Sequence, residues 1–205
     1  MPIFLLIRHG ENDFIKTGRL PGRLPNVHLN DNGRKQVQMV VKSLKDMPIK
    51  AVYSSPLERA LETAEPIAGA FGLKVNTLEG LTETDCGEWS GQKISDLRRS
   101  KFWKVVKFSP SRLRFPGGES FLESQKRICW ELEELVRKHE PRDMLVCVSH
   151  ADPIRLAVAY FLGMPLDMFQ RMYIAPASIT TLDIGEVESR LLNLNYECVF
   201  SLYKS

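Results

Sequence analysis

Ile3-Phe4-Leu5-Leu6-Ile7-Arg8-His9 opens the chain with five apolar residues and then turns abruptly cationic. An unbroken apolar run of this length, as opposed to an alternating one, reads as a strand buried on both faces. The pattern returns at Met144-Leu145-Val146-Cys147-Val148-Ser149-His150, where a second apolar run again ends on a histidine. Working outward, Ala51 to Ser54 and Leu73 to Leu78 read as two further short strands. Polar, Gly- and Pro-containing sequence from Arg8 to Asn30 predicts a long loop, followed by a helix with Val37, Val40, Val41 and Leu44 on one side. Ser55-Pro56-Leu57-Glu58 combines an N-cap serine, a first-turn proline and a capping-box glutamate, predicting a helix to about Phe71 with Gly72 as its stop. Ser120-Phe121-Leu122-Glu123 repeats the capping box and opens a long helix to about His139, and Asp152 and Pro153 are expected to cap and start another.

Between these elements, Gln92 to Val106 has helical character, while Ser109-Pro110 and Phe115-Pro116-Gly117-Gly118 break the chain, so residues 92–116 are read as an inserted flap. Ser178 to Ile184 and Arg190 to Tyr196 flank Gly185 as an antiparallel hairpin. Strands alternating with helices predict a three-layer α/β/α sandwich with a mostly parallel sheet and one antiparallel edge, in a single domain over residues 1–205.

Bulk properties narrow the classes. A chain of 205 residues with 43% hydrophobic content can bury one substantial core without staples. A net charge of +3 is a small excess on a mixed surface, short of a nucleic-acid footprint. Met1 to Ile7 is too brief for a signal-peptide core, and no run reaches the length of a membrane span. Cys86, Cys129, Cys147 and Cys198 lie far apart with no Cys-x-x-Cys pair, which lacks the framework of a disulfide scaffold or zinc site. The expectation is a cytoplasmic protein with neither nucleic acid nor membrane as a partner.

Three strand ends deliver cationic or imidazole side chains: Arg8 and His9, Arg59 in the first turn of the helix after the second strand, and His150. Ligands of open parallel sheets bind outside the carboxyl ends of the strands. Two guanidinium groups, two imidazoles and nearby helix N-termini describe a pocket for phosphate or a similar oxyanion. This leaves a catalytic pocket and a passive anion site both open. Other phosphate chemistries lack their motifs. There is no Gly-x-x-x-x-Gly-Lys loop, no Gly-x-Gly-x-x-Gly after a strand, no Asp-x-Asp pair and no His-Glu-x-x-His. Cys147 is followed by Arg155, but Pro153 interrupts the loop a cysteine nucleophile would need. Histidine remains as the nucleophile for a bound phosphorus.

At Leu6-Ile7-Arg8-His9-Gly10-Glu11 the sequence resembles the histidine phosphatase superfamily, the phosphoglycerate mutase-like enzymes. Ser54 through Ala64, Leu81-Thr82-Glu83 through Gly91, Pro116 through Ser120, and Val148-Ser149-His150 resemble the family's later blocks, in order and along nearly the whole chain. The resemblance implies His9 as nucleophile, Arg8, Arg59 and His150 as clamps on the phosphoryl oxygens, and Glu83 as proton donor. Asn12 and Ala151 are implied as further phosphate contacts, Arg19 and Arg23 as substrate contacts, and no metal is implied. The pattern departs where many relatives carry Thr and Asn, here Asn12 and Ile15, and at Ala151-Asp152-Pro153, where a Gly-rich turn is commoner and Asp152 reads as a helix cap. Gly18-Arg19-Leu20-Pro21-Gly22-Arg23 looks more like the phosphatase branch than the mutase branch.

The resemblance therefore implies a metal-independent phosphatase acting on a small phosphomonoester through a phosphohistidine, with no cofactor. The alternative is a 2,3-bisphosphoglycerate-dependent phosphoglycerate mutase or related phosphomutase, with that bisphosphate as cofactor. A third reading is a binding or regulatory protein of the same fold. A homodimer stays open. Within the flap, Lys101 to Phe108 mixes lysines with aromatics and reads foremost as an amphipathic element, apolar side down. Trp89 is read as a packing residue, and His28 and His139 as structural or exposed.

Overall fold

The computed structural model describes residues 1–198. Six strands form one sheet: β1 (Ile3–Arg8), β2 (Ile49–Ser54), β3 (Val75–Thr77), β4 (Met144–Ser149), β5 (Ile179–Ile184) and β6 (Ser189–Tyr196). Their spatial order is β3-β2-β4-β1-β5-β6. β1 pairs in parallel with β4, β4 with β2, and β2 with β3, whereas β5 runs antiparallel to β1 and β6 antiparallel to β5. The late hairpin is the antiparallel edge.

Both central runs are apolar throughout because the sheet is covered on both sides. Phe4 and Leu6 of β1, with Leu145 and Cys147 of β4, pack into one core with α6 (Phe121–Lys138) and α7 (Ala151–Phe161). The alternate residues Leu5, Ile7, Val146 and Val148 enter the opposite core with α2 (Asp31–Leu44) and α3 (Glu58–Ala70). Each fully buried aliphatic side chain stabilises the fold by roughly 1.5–3 kcal/mol. The Ser120 capping box forms as read, with Ser120 accepting from the Glu123 amide and the Glu123 carboxylate accepting from the Ser120 amide.

Four local readings are corrected. The loop from Arg8 to Asn30 contains a short helix, α1 (Asp13–Lys16), capped by Asn12, whose Oδ1 accepts from the Ile15 amide at 2.9 Å. The helical stretch in the flap divides into α4 (Ile94–Leu97) and α5 (Lys101–Phe108). Ser55 is not the N-cap of α3. Its amide continues the β2 ladder onto the Val148 carbonyl, while its hydroxyl pairs with His150 Nε2 at 2.9 Å and accepts from the Leu57 amide at 3.3 Å, so the chain bends through Pro56, and α3 starts only at Glu58 with Leu57 as its N-cap. Glu58 accepts instead from the Asn26 amide at 3.0 Å. Asp152 is not a cap either. His150 is itself the extended N-cap residue (φ −127°, ψ 169°), Ala151 begins α7, and Asp152 pairs one turn on with Arg155 at 3.0 Å.

The flap is joined to the core by aromatic rings. Trp103 of α5 stacks on Trp89 at 6.4 Å between centroids, Trp89 meets Phe115 edge-on at 5.4 Å, Phe115 meets Phe121 at 5.3 Å, and Phe121 reaches Phe169 at 4.8 Å. Val106 is buried beneath α5, while Phe102 and Phe108 are exposed. The amphipathic reading of the flap thus holds for its inner face and fails for these two phenylalanines.

The segment after β1 turns over the N-terminus of α2, where Asn30 caps the Gly33 amide at 2.8 Å. A Cβ on Gly33 would overlap the Glu11 carbonyl oxygen, so the two backbones approach closely only because that position is glycine. Gly33→Ala is expected to destabilise the protein by about 1–3 kcal/mol, the range of overpacking. Chemical denaturation measures this, and wild-type stability would show that the approach relaxes freely.

Candidate active site

The β1–β4 register pairs Arg8 with Ser149, so the residues that follow, His9 and His150, leave the sheet side by side. Their rings meet edge-on at 5.1 Å between centroids, and both are buried. His9 Nδ1 lies 2.7 Å from the Gly10 carbonyl oxygen. A carbonyl only accepts, so Nδ1 carries the proton and Nε2 presents its lone pair. Arg59 Nε donates to that Nε2 at 3.3 Å. Burial first, then the charges of Arg59 and Arg8, holds His9 well below the ordinary imidazole value, so the ring is neutral at physiological pH.

Arg59 is fully buried in the first turn of α3, with Nη2 donating to the Gly22 carbonyl at 2.7 Å. One turn later Thr63 accepts from the Gly10 amide at 3.1 Å and donates to the Arg59 carbonyl at 2.8 Å, which fixes the loop after the first histidine to α3. Arg8 donates from Nη1 to the Ile174 carbonyl at 2.7 Å, and burial, then the charge of Arg155, lowers it to about 10, still protonated.

Glu83 stands on the loop after β3, with Oε1 accepting from the Thr84 amide at 2.9 Å and Oε2 3.9 Å from His150 Nδ1. Burial, then the charge of Asp152, pushes it up to about 7 against the opposing arginines. Its loop is held from below. Arg127 of α6 donates to the carbonyls of Gly80 and Thr82 at 2.9 Å each, and its Nη2 pairs with Glu119 at 2.8 Å. Arg23 joins this network, donating to the Glu83 carbonyl at 2.7 Å and to Glu119 at 3.0 Å.

Arg8, His9, Arg59, Glu83 and His150 therefore converge as the sequence reading expects. Asn12 is buried with its oxygen occupied by the α1 cap, and Ala151 provides the first amide of α7. Arg23 is engaged by the acid loop's own backbone and carboxylates, and exposed Arg19 donates to the Gly91 carbonyl at 3.0 Å at the base of the flap. Sequence reasoning missed Ser55 and Thr63, whose hydroxyls lock His150 and the Gly10 amide. Thr63 stands four residues after Arg59, on one helix face, which was a usable signal; Arg127, deep in α6, had none.

Buried donors without a protein partner mark the same place. Among the described residues, Arg8 Nε, Asn12 Nδ2 and Arg59 Nη1 are donors of this kind, His150 Nδ1 is a ring nitrogen likewise without a partner, and Ser100 Oγ, Arg127 Nε, Arg155 Nε and Asp183 Oδ1 are the other buried polar atoms that have none. An unsatisfied buried polar group costs about 1–3 kcal/mol, so atoms of this kind are ones a bound oxyanion or water can satisfy.

The family now follows from comparison. The chain belongs to the histidine phosphatase superfamily, branch 1, whose family model matches residues 4–197. Relatives and structural neighbours that are phosphatases make it a phosphoric monoester hydrolase of that superfamily. It is similar to phosphoserine phosphatase 1 of Hydrogenobacter thermophilus, 32% identical over 95% of this chain and 92% of that protein. It is 33% identical, over 90% of this chain and 88% of the relative, to a 2,3-bisphosphoglycerate-dependent phosphoglycerate mutase of Thermoplasma acidophilum. A mutant phosphoserine phosphatase from Entamoeba histolytica, solved in complex with phosphoserine, superposes with a TM-score of 0.86 at 29% identity, covering 95% of this chain and 97% of that one.

The raised pKa of Glu83 gives a signed expectation. Its folded value lies above its unfolded one, so its protonated form favours the fold at low pH and that contribution is lost as pH rises toward and through about 7. Glu83→Gln, neutral at every pH, is expected to raise the melting temperature relative to wild type at pH 8 and to leave the two nearly equal at pH 5. Thermal denaturation at both values measures this. An equal difference at both values would remove the titration of Glu83 as the cause.

Proposed function

We propose that the protein hydrolyses a small phosphomonoester in two steps through a phosphohistidine on His9, without a metal ion. The observation that carries this reading is a buried, neutral His9 whose Nε2 lone pair faces Arg59, with Arg8 Nε, Asn12 Nδ2 and Arg59 Nη1 buried without a protein partner. Phosphoryl transfer spreads charge over the equatorial oxygens, and preorganised cations in a dry site supply most of the stabilisation. In this reading Arg8, Arg59 and His150 take those oxygens, helped by Asn12 Nδ2 and the Ala151 amide.

His9 Nε2 attacks phosphorus, the bond from phosphorus to the ester oxygen breaks, and Glu83 gives its proton to the departing alkoxide. Glu83, now a carboxylate, takes a proton from water as the water oxygen attacks phosphorus. The phosphorus–nitrogen bond breaks, releasing inorganic phosphate and restoring neutral His9 and protonated Glu83. The acid must start protonated, which its elevation to about 7 supports. The four cysteines, all unpaired, fit a reducing compartment such as the cytoplasm. Among the described residues, no helix is long and apolar enough to cross a membrane.

The phosphoglycerate mutase relative favours a second reading, in which a second hydroxyl of a retained substrate, in place of water, accepts the phosphoryl group from His9. The deciding assay is phosphate release from a panel of phosphomonoesters with chelator present. Wild type is expected to turn over at least one, and His9→Ala to lose at least a thousandfold while still binding it. Isomerisation without net phosphate release would favour the mutase. Turnover surviving in His9→Ala, or abolished by chelator, would sink the phosphohistidine mechanism proposed here.

The same mechanism fixes a pH profile. The logarithm of kcat/KM is expected to fall with unit slope above about 7 as Glu83 ionises, and Glu83→Gln to lower kcat by about 10²–10⁴ with that limb abolished. A limb unchanged in Glu83→Gln would assign the proton to another group.

A further inference from the structure

One hydrogen bond decides which nitrogen of the second histidine carries a proton. β2 and β4 are neighbours with Ser54 opposite Val148, so Ser55 and His150 leave adjacent strand ends. The Ser55 amide is fixed on the Val148 carbonyl at 2.9 Å, and its buried hydroxyl lies 2.9 Å from His150 Nε2. The same hydroxyl oxygen accepts from the Leu57 amide at 3.3 Å. On the other side of the ring, His150 Nδ1 is buried with no hydrogen-bond partner among the described residues, 3.9 Å from Glu83 Oε2.

Burial first, then the charge of Arg59, holds His150 well below the ordinary imidazole value, so the ring is neutral and has a single N–H to give. Two arrangements are open to that proton. On Nε2 it would be donated to Ser55, whose own hydroxyl hydrogen would then have no acceptor among the described residues, and Nδ1 would turn a bare lone pair toward Glu83. On Nδ1 every group is used: Ser55 accepts from Leu57 and donates to Nε2, and the N–H faces the reaction centre. A buried hydroxyl that spends its hydrogen is favoured over one that does not, so the hydrogen-bond network assigns the second arrangement.

Resting on the phosphatase reading above, we propose that Ser55 is a positioning residue for the reaction: by donating to His150 Nε2 it fixes the ring's one proton on Nδ1, where it is offered to an oxygen of the transferring phosphoryl group. A neutral imidazole clamps an oxyanion only through its N–H, and the opposite tautomer would set a lone pair against the developing negative charge. The proton stays on Nδ1 through both steps, while Glu83 alone exchanges one. Ser55 acts entirely through the imidazole, since a partner on one ring nitrogen sets what the other presents.

The tautomer is measured without substrate. In protein labelled with 15N-histidine, a protonated ring nitrogen and one with a bare lone pair resonate far apart, and His150 is picked out of the chain's four histidines by the signals missing from His150→Gln. The expected spectrum at pH 7 has His150 protonated on Nδ1 alone. A proton on Nε2, or on both nitrogens, overturns the proposal. Saturating inorganic phosphate is expected to shift the Nδ1–H signal, and an unmoved signal overturns the donor role. In Ser55→Ala the proton should redistribute toward Nε2 and kcat should fall about tenfold or more, short of the loss on deleting a whole oxyanion donor, whereas Ser55→Thr keeps the hydroxyl and should recover most of that loss. An equal loss in both variants, or an unmoved tautomer or kcat in Ser55→Ala, overturns the proposal. Should Ser55→Ala fail to fold, the wild-type spectrum and the phosphate titration decide alone. A wild type that shows the expected spectrum and hydrolyses no phosphomonoester sinks the phosphatase reading and leaves the tautomer assignment standing.

Discussion

The parallel pairing of β1 with β4 is the constraint from which the site follows. Two buried strands in register end on Arg8 and Ser149, and the chain can then only place His9 and His150 beside one another at the carboxyl edge of the sheet. The His9 amide donates to the Ser149 carbonyl at 3.0 Å, carrying the ladder one residue beyond the strand and into the reaction centre. His9 is thus held by main-chain geometry, with both apolar cores behind it. β2 repeats the device, since the Ser55 amide bonds to Val148 before the chain turns into α3 and presents Arg59. Three neighbouring strands end in hydrogen bonds to one another, and each supplies a group that faces the same place.

Burying two imidazoles and two guanidinium groups together is unfavourable, and the structure offsets that cost unequally. The imidazoles remain neutral, driven below their ordinary values by burial and by the arginines. The arginines remain charged and take main-chain carbonyls, Ile174 for Arg8 and Gly22 for Arg59, which satisfy part of each guanidinium and leave part unsatisfied. Those remaining donors describe the ligand better than any cavity does, because a tetrahedral oxyanion needs several donors at once. Glu83 belongs to the same balance. In a site of net positive charge a carboxyl would ordinarily ionise early, and burial together with the Asp152 charge is what keeps it protonated near neutrality.

Much of this was legible in the chain. Unbroken apolar runs ending in Arg-His and Ser-His specify doubly covered strands that open onto a polar edge, and those two facts fix the sheet's centre and its reactive end. Helix starts were less legible, for a physical reason. Ser55-Pro56-Leu57-Glu58 carries every local mark of a capping box, yet the Ser55 hydroxyl is taken by His150, ninety-five residues away in sequence. Asp152 failed as a cap for the same reason in reverse, because a histidine fixed by strand pairing occupied the cap position first. Local signals describe what a segment would do alone, and at a functional site distant partners compete for the same atoms. The Arg127–Glu119–Arg23 network was out of reach because its three members come from a helix and two loops whose meeting depends on the finished fold.

That network also separates what the fold must keep from what it is free to vary. His9 and His150 follow strand ends, and Arg8 and Arg59 are held on main-chain carbonyls. The acid's loop is anchored by side chains from outside the sheet, the flap by a file of aromatic rings, and the first turn of α7 by one ion pair. Side-chain anchors can be exchanged without rebuilding the core. A superfamily that holds both phosphatases and mutases is what such a division allows. In the function proposed above, the strand-held half makes and breaks the bond to phosphorus, and the loosely tied half is the part left free to fit the leaving group and to admit the next hydroxyl, water's or the substrate's.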